Sequence, residues 1–139
     1  MCMRSLAVIG LFAAGVIIGL TSSGIIQAQV SEYSNRQLLK ADLQNIPGQE
    51  VLVTTSDWPP GFRLPLHMHP EGHELAYVIE GELTLEIDGV GTKVVKAGEV
   101  MHTPPNIPHF GRNATDKPLK TLVMRIKDKS QPIVVEVQR

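Results

Sequence analysis

The chain lacks the features that mark several classes of protein. It has no excess of one charge, because 13 lysine and arginine residues oppose 14 aspartate and glutamate residues, for a formal net charge of -1. Such a balance favours neither nucleic acid nor an anionic membrane as a partner. Repeats, low-complexity tracts and blocks of like charge are absent, and the only cysteine is Cys2. Exported chains either pair their cysteines or do without them, so this usage agrees with export.

The first 28 residues differ from the rest of the chain. Arg4 is the only charge before the apolar run of residues 6–20, and a polar patch and Ala28 follow. A basic start, an apolar core and a small residue at the cleavage point describe a secretory signal peptide. We therefore predict that residues 1–28 are a signal peptide and that the protein is exported, either periplasmic or secreted. An uncleaved membrane anchor is the alternative, because the apolar segment approaches the roughly 20 residues that span a bilayer.

The remaining 111 of 139 residues are enough for one domain with one core. Residues 29–49 are polar and predict an N-terminal arm, and from residue 50 the pattern becomes that of β-strands. Residues 82–87 alternate between polar and apolar side chains, as in a half-buried strand, and Asp88-Gly89 supplies the chemistry of a hairpin turn. No amphipathic helix of 10 or more residues is indicated. Short strands between glycine and proline turns predict an all-β fold, a small antiparallel sandwich or barrel over residues 50–139.

Three histidines and a carboxylate crowd one short stretch. His67 and His69 are two residues apart, so on a strand they share a face and both rings can approach one ion. The turn at residues 70–72 can return Glu74 to the same place, whereas His73 has the opposite strand parity and is predicted to point away. Imidazoles with a carboxylate suit Zn, Fe, Mn, Ni or Cu rather than Ca. A polar cluster without metal is the alternative reading.

A wider spacing pattern identifies the stretch. The first part joins Gly61, His67, His69, Glu74 and Gly81, with gaps of five, one, four and six residues, and the second joins Gly98, Pro104, His109 and Asn113, with gaps of five, four and three. Both parts match the two motifs of the cupin superfamily at all nine anchors. The chain therefore resembles this superfamily over roughly residues 38–137, and in detail its small, exported, quercetinase-like single-domain members. The one departure is Asn106, where the second motif usually has glycine; asparagine tolerates positive φ, so the turn is expected to persist.

The resemblance implies a jelly-roll β-barrel and a metal site. Carried over position by position, the metal ligands are His67, His69, Glu74 and His109, and they hold one divalent transition metal ion. Fe or Mn is favoured among Fe, Mn, Zn, Ni and Cu. Four protein ligands leave one or two coordination positions for water, substrate or dioxygen, which is typical of a working rather than a structural metal.

Two functions follow from such a site. The first is a metal-dependent enzyme of the dioxygenase type that acts on a small organic molecule, with isomerase or decarboxylase activity less favoured. The second is a non-catalytic periplasmic module that binds or senses a metal or a small ligand. The candidates for acid–base catalysis are a metal-bound water and one side chain, His102, which lies two residues before Pro104. Phe110 is the preferred pocket residue. The family also implies a homodimer, whereas the charge balance and the predicted export exclude nucleic acid as a partner.

Overall fold

The computed structural model describes residues 30–138, which form ten β-strands. In chain order these are β1 (Ser34–Asp42), β2 (Gln49–Trp58), β3 (His67–Met68), β4 (Gly72–Glu80), β5 (Glu82–Ile87), β6 (Gly91–Lys96), β7 (Val100–Thr103), β8 (His109–Arg112), β9 (Leu119–Asp128) and β10 (Val135–Glu136). Within this range no helix is long and apolar enough to cross a membrane. The predicted signal peptide, residues 1–28, lies outside the described residues.

The strands form two antiparallel sheets of five. One sheet has the order β1-β2-β9-β4-β7 and the other β10-β3-β8-β5-β6. Strands that pair in a sheet often come from distant parts of the chain. In the first sheet, for example, β9 lies between β2 and β4 and pairs with both. The prediction of an all-β antiparallel fold is confirmed. Strand β1 lies inside the segment predicted as an N-terminal arm and pairs along β2 from Ser34 to Asp42.

The core between the sheets follows from strand alternation. Leu83, Leu85 and Ile87 of β5 are buried, as the polar–apolar alternation predicts, and they pack with residues from the opposite sheet such as Trp58 and Val78. Burial of an aliphatic or aromatic side chain stabilises a fold by about 1.5–3 kcal/mol, so this cluster contributes strongly. One end of the core is closed by an aromatic group, in which Tyr33 stacks on Phe62 at 4.5 Å between ring centroids.

The turns between strands use residues that tolerate positive φ. Three motif glycines, Gly61, Gly81 and Gly98, have φ values of 75°, 80° and 89°. Asn106 has φ of 61°, so the one departure from the motif keeps the left-handed turn. Its amide also accepts a hydrogen bond from the Glu71 backbone N–H and donates one to the Glu71 carboxylate. The asparagine therefore ties its turn to the turn that precedes β4.

Asn113 secures the turn that follows β8. Its side-chain amide is fully buried and donates to the carbonyl oxygens of Trp58, Pro59 and Lys117. Its side-chain oxygen accepts from the backbone and the hydroxyl of Thr115. With all of its bonding capacity used inside the fold, Asn113 has a structural role, as its position in the motif predicts.

Candidate metal centre

Two strands and the turn beside them bring three histidines together. His67 on β3 lies directly opposite His109 on β8, and His69 follows β3. All three rings are buried, and each offers one ring nitrogen within 4.8 Å of those of the other two. Imidazole nitrogens bind transition metals at about 2.0–2.1 Å, so a single ion fits among nitrogens at such separations. The three histidines can therefore bind a metal ion.

Backbone carbonyls fix the orientation of each ring. The Nδ1 atoms of His67, His69 and His109 lie 2.8, 2.5 and 2.8 Å from the carbonyl oxygens of Pro65, Ile133 and Ile107. A carbonyl oxygen only accepts, so each Nδ1 carries a hydrogen, and in its neutral form each ring presents the Nε2 lone pair. Metal-binding histidines have this arrangement, in which the second nitrogen donates to a carbonyl or carboxylate.

The carboxylate of Glu74 lies against two of these nitrogens. Its Oε2 is 2.9 Å from His69 Nε2, and its Oε1 is 3.5 Å from His109 Nε2. Although these are ion-pair distances, His69 Nε2 and His109 Nε2 are buried without a hydrogen-bond partner among the described residues. Lone pairs that face each other in a buried site are unfavourable unless a cation lies between them. The donor set therefore fits a divalent transition metal ion.

Arg125 on β9 is the residue that the sequence reasoning missed. It lies directly across from Glu74 in the β4–β9 pairing, and its Nη2 is 2.6 Å from Glu74 Oε2. Strand parity could have found it, because Arg125 follows Leu119, Thr121 and Val123 at alternate positions that face inward. A charged residue at an inward position is unusual and needs a partner, and Glu74 supplies one.

The surroundings favour the protonation states that bind metal. Burial, with help from the neighbouring His109 and His69 rings, lowers the pKa of His67 to about 4. Burial alone would raise the pKa of Glu74, but the Arg125 charge holds it well below its usual range. At neutral pH His67 is therefore a neutral ring and Glu74 a carboxylate.

A cavity of about 330 Å³ opens beside the cluster. His67 and Arg125 line it together with residues of the C-terminal segment that contains β10. The lining residues are Tyr33, Asn35, Leu64, Pro65, His67, Arg125, Ile133, Val134 and Glu136. Its volume lies at the lower end of the range of small-molecule sites.

Two histidines and one aromatic residue lie away from this cluster. His73 and His102 are exposed on the outer face of their sheet, where His73 Nδ1 is 2.9 Å from His102 Nε2. The structure thus places His102, the acid–base candidate, on the opposite side of its strand from the metal cluster. Phe110 was predicted in the pocket, and this is wrong: its neighbours His109 and Gly111 face inward, and the Arg63 guanidinium lies 3.8 Å above the ring of Phe110.

Acidification is expected to destabilise the metal-free protein partly through His67. The folded state holds the pKa of His67 near 4, whereas the unfolded chain takes up the proton near 6.5. The contribution of His67 to the free energy of unfolding is therefore intact above pH 6.5 and is lost as the pH falls towards 4. Urea midpoints of chelated wild type and His67→Gln between pH 7.5 and 4.5 check it. The wild type should lose more stability than the variant, and parallel curves would exclude this role for His67.

The sequence that carries these ligands and sheets matches a known protein family. The family described as "Cupin domain" matches residues 54–125, which is more than half of the chain and includes all four predicted ligands. This chain belongs to the cupin family. The cupin resemblance drawn from the nine motif anchors is thereby confirmed.

Curated cupin relatives are larger than this chain. Germin-like protein subfamily 2 member 2 of Arabidopsis thaliana is 35% identical over 89 residues, which cover 59% of this cupin and 41% of the relative. The chain spans less than half the length of the curated relatives that it matches.

Solved structures repeat the fold. An oxalate oxidase in complex with the substrate analogue glycolate is 25% identical, with a TM-score of 0.59 over 79% of this cupin and 57% of the oxidase. A DMSP lyase from Ruegeria pomeroyi has a TM-score of 0.63 at 20% identity, over 76% of this cupin and 51% of the lyase. At 20% identity, the similarity to the lyase shows a common fold and nothing more.

Proposed function

We propose that this cupin is an exported metal-dependent enzyme of the dioxygenase type that acts on a small organic molecule. The observation that carries the proposal is the mutual approach of three buried histidine ring nitrogens, two of which face the Glu74 carboxylate, beside an open cavity. In this proposal His67, His69, Glu74 and His109 hold one divalent transition metal ion, with Fe or Mn favoured. The similarity to an oxalate oxidase supports an oxidative reaction at such a site.

The protein residues have distinct tasks in this reaction. A bound metal would supply Lewis-acid and template chemistry, and redox chemistry if it is iron. The three Nδ1–H donors hold the rings in place. The Glu74 carboxylate would offset part of the positive charge of a bound ion. Four protein ligands leave room for a substrate at such an ion.

A second function is favoured by one observation. His102, the acid–base candidate, lies on the outer face and cannot transfer a proton inside the cavity. A site without a positioned acid or base fits a module that binds or senses a small ligand without turnover.

Oxygen uptake by the metal-loaded protein separates the two functions. Protein loaded with Fe or Mn should consume dioxygen with at least one compound among diketones, flavonols, thiols and small hydroxy acids. The metal-free protein and the His69→Gln variant serve as controls, and both should be inactive. Stoichiometric metal without uptake on any of these compounds would favour the binding module.

The homodimer and the export of the chain remain predictions. The outer face of the β1-β2-β9-β4-β7 sheet exposes a group of apolar side chains, namely Leu39, Tyr77, Val100 and Met124, which supports pairing of two copies there. Large exposed apolar patches are typical of protein interfaces. Sedimentation equilibrium would exclude this pairing if wild type is monomeric at micromolar concentration.

A further inference from the structure

Arg125 is a half-buried cation in the wall of the cavity. Its side chain is only 14% exposed, and its Nη2 pairs with Glu74 Oε2 at 2.6 Å. Its second terminal nitrogen, Nη1, reaches only Thr54 Oγ1 at 3.5 Å, and its Nε is buried without a partner among residues 30–138. The guanidinium thus has one strong partner, a carboxylate that the proposed function assigns to the metal.

The local charge becomes positive when a divalent ion occupies the site. Metal-bound histidines are neutral and a metal-bound glutamate is a carboxylate. The inner charges are then Glu74 at minus one and Arg125 at plus one, which sum to zero. A divalent ion raises that sum to plus two, and the exposed Glu136 at the rim lowers it only to plus one. Uncompensated charge in a buried site is costly, so the loaded cavity favours an anion.

The lining of the cavity indicates the kind of anion. Leu64, Ile133 and Val134 give one side of the cavity an apolar surface, which an inorganic oxyanion cannot use. A guanidinium offers paired donors that match the two oxygens of a carboxylate. The volume of about 330 Å³ restricts the ligand to a small molecule.

We propose that Arg125 recognises the carboxylate of a small organic acid bound in this cavity, an inference that rests on the proposed function because it needs the loaded metal. The residue then determines the substrate class: anionic compounds are accepted and neutral ones of the same shape are rejected. Arg125 acts in binding, through its charge and its paired donors, and keeps Glu74 oriented on its other side.

Calorimetric titration with glycolate tests this inference without an activity assay. Metal content is measured first, so that a wild type without metal contradicts the proposed function, and the inference with it, before any ligand is added. Glycolate should bind the loaded wild type, and ethylene glycol, its neutral analogue in shape, should bind at least tenfold more weakly. Arg125→Met should weaken glycolate binding by about 10- to 100-fold, the size expected for lost charge-assisted hydrogen bonds. Arg112→Met, which removes an exposed arginine of β8, is the matched control and should leave the affinity within twofold.

Each result of the titration either supports the role of Arg125 or overturns it. Unchanged glycolate affinity in fully loaded Arg125→Met, equal binding of ethylene glycol, or no glycolate binding to loaded wild type would each overturn the inference. If Arg125→Met fails to hold metal, Arg125→Lys carries the comparison, since it keeps the charge that Glu74 needs but lacks the paired donors. Reduced glycolate affinity in that variant at full metal content supports the inference, and wild-type affinity overturns it.

Discussion

Substitution of His69 with glutamine will lower the affinity of the protein for a divalent transition metal by at least about 100-fold, because loss of an outer-shell partner alone costs 10- to 100-fold. His69 Nε2 is a buried lone pair 2.9 Å from Glu74, and its Nδ1 is held by the Ile133 carbonyl. Glutamine has no donor atom that can take the place of the Nε2 lone pair with the same orientation. Competition titration with a chromophoric chelator measures the change.

His73→Gln is the matched control for this experiment. It removes the same ring four residues along the chain, next to Glu74 but on the exposed outer face. Its metal affinity should stay within twofold of wild type. Equal losses in His69→Gln and His73→Gln would mean that the measured metal binds on the surface and not at the buried cluster.

Gly81→Ala is expected to destabilise the folded protein by about 3 kcal/mol, within the range of backbone strain combined with a steric clash. Gly81 has φ of +80°, and a Cβ atom there would lie 2.5 Å from the Pro118 carbonyl oxygen and 3.0 Å from Leu119 Cα. Both contacts are with backbone, and Leu119 is fully buried, so the clash cannot be relieved by turning a side chain. Urea unfolding of the metal-free protein measures the loss.

The control at Gly61 separates backbone conformation from steric contact. Gly61 is another motif glycine, with φ of +75°, but a Cβ atom there would meet nothing within 4 Å. Gly61→Ala should therefore cost only the left-handed penalty, about 1–2 kcal/mol. If the two variants lose the same stability, the close approach of the β4–β5 turn to the start of β9 is not what requires glycine.

The motif anchors could be predicted from the sequence because each has a local physical requirement. The anchors Gly61, Gly81 and Gly98 take up positive φ, and Asn106 replaces a fourth glycine with one of the few residues that tolerate it. The alternation of residues 82–87 likewise reports burial on one face of a strand. Such features depend on a few neighbouring residues, so a single sequence displays them.

The rest of the site depends on pairings between distant parts of the chain. Arg125 meets Glu74 only because β9 inserts beside β4, and the acceptor for His69 is the backbone of Ile133, whose side-chain identity carries no signal. Strand β1 is exposed along almost its whole length and mostly polar, so it lacks the alternation of buried apolar side chains that would mark a strand. Phe110 was predicted to line the pocket because it follows His109 in the sequence. On a strand, however, the neighbour of an inward-facing histidine faces outward.

Anomalous diffraction at the metal absorption edge tests the central claim most directly. Crystals of protein loaded with Mn or Fe should show one strong peak per chain among the Nε2 atoms of His67, His69 and His109. The peak should lie about 2.0–2.2 Å from those nitrogens and from a Glu74 oxygen. A peak at the exposed His73–His102 pair alone, or none in protein with stoichiometric metal, would contradict the account.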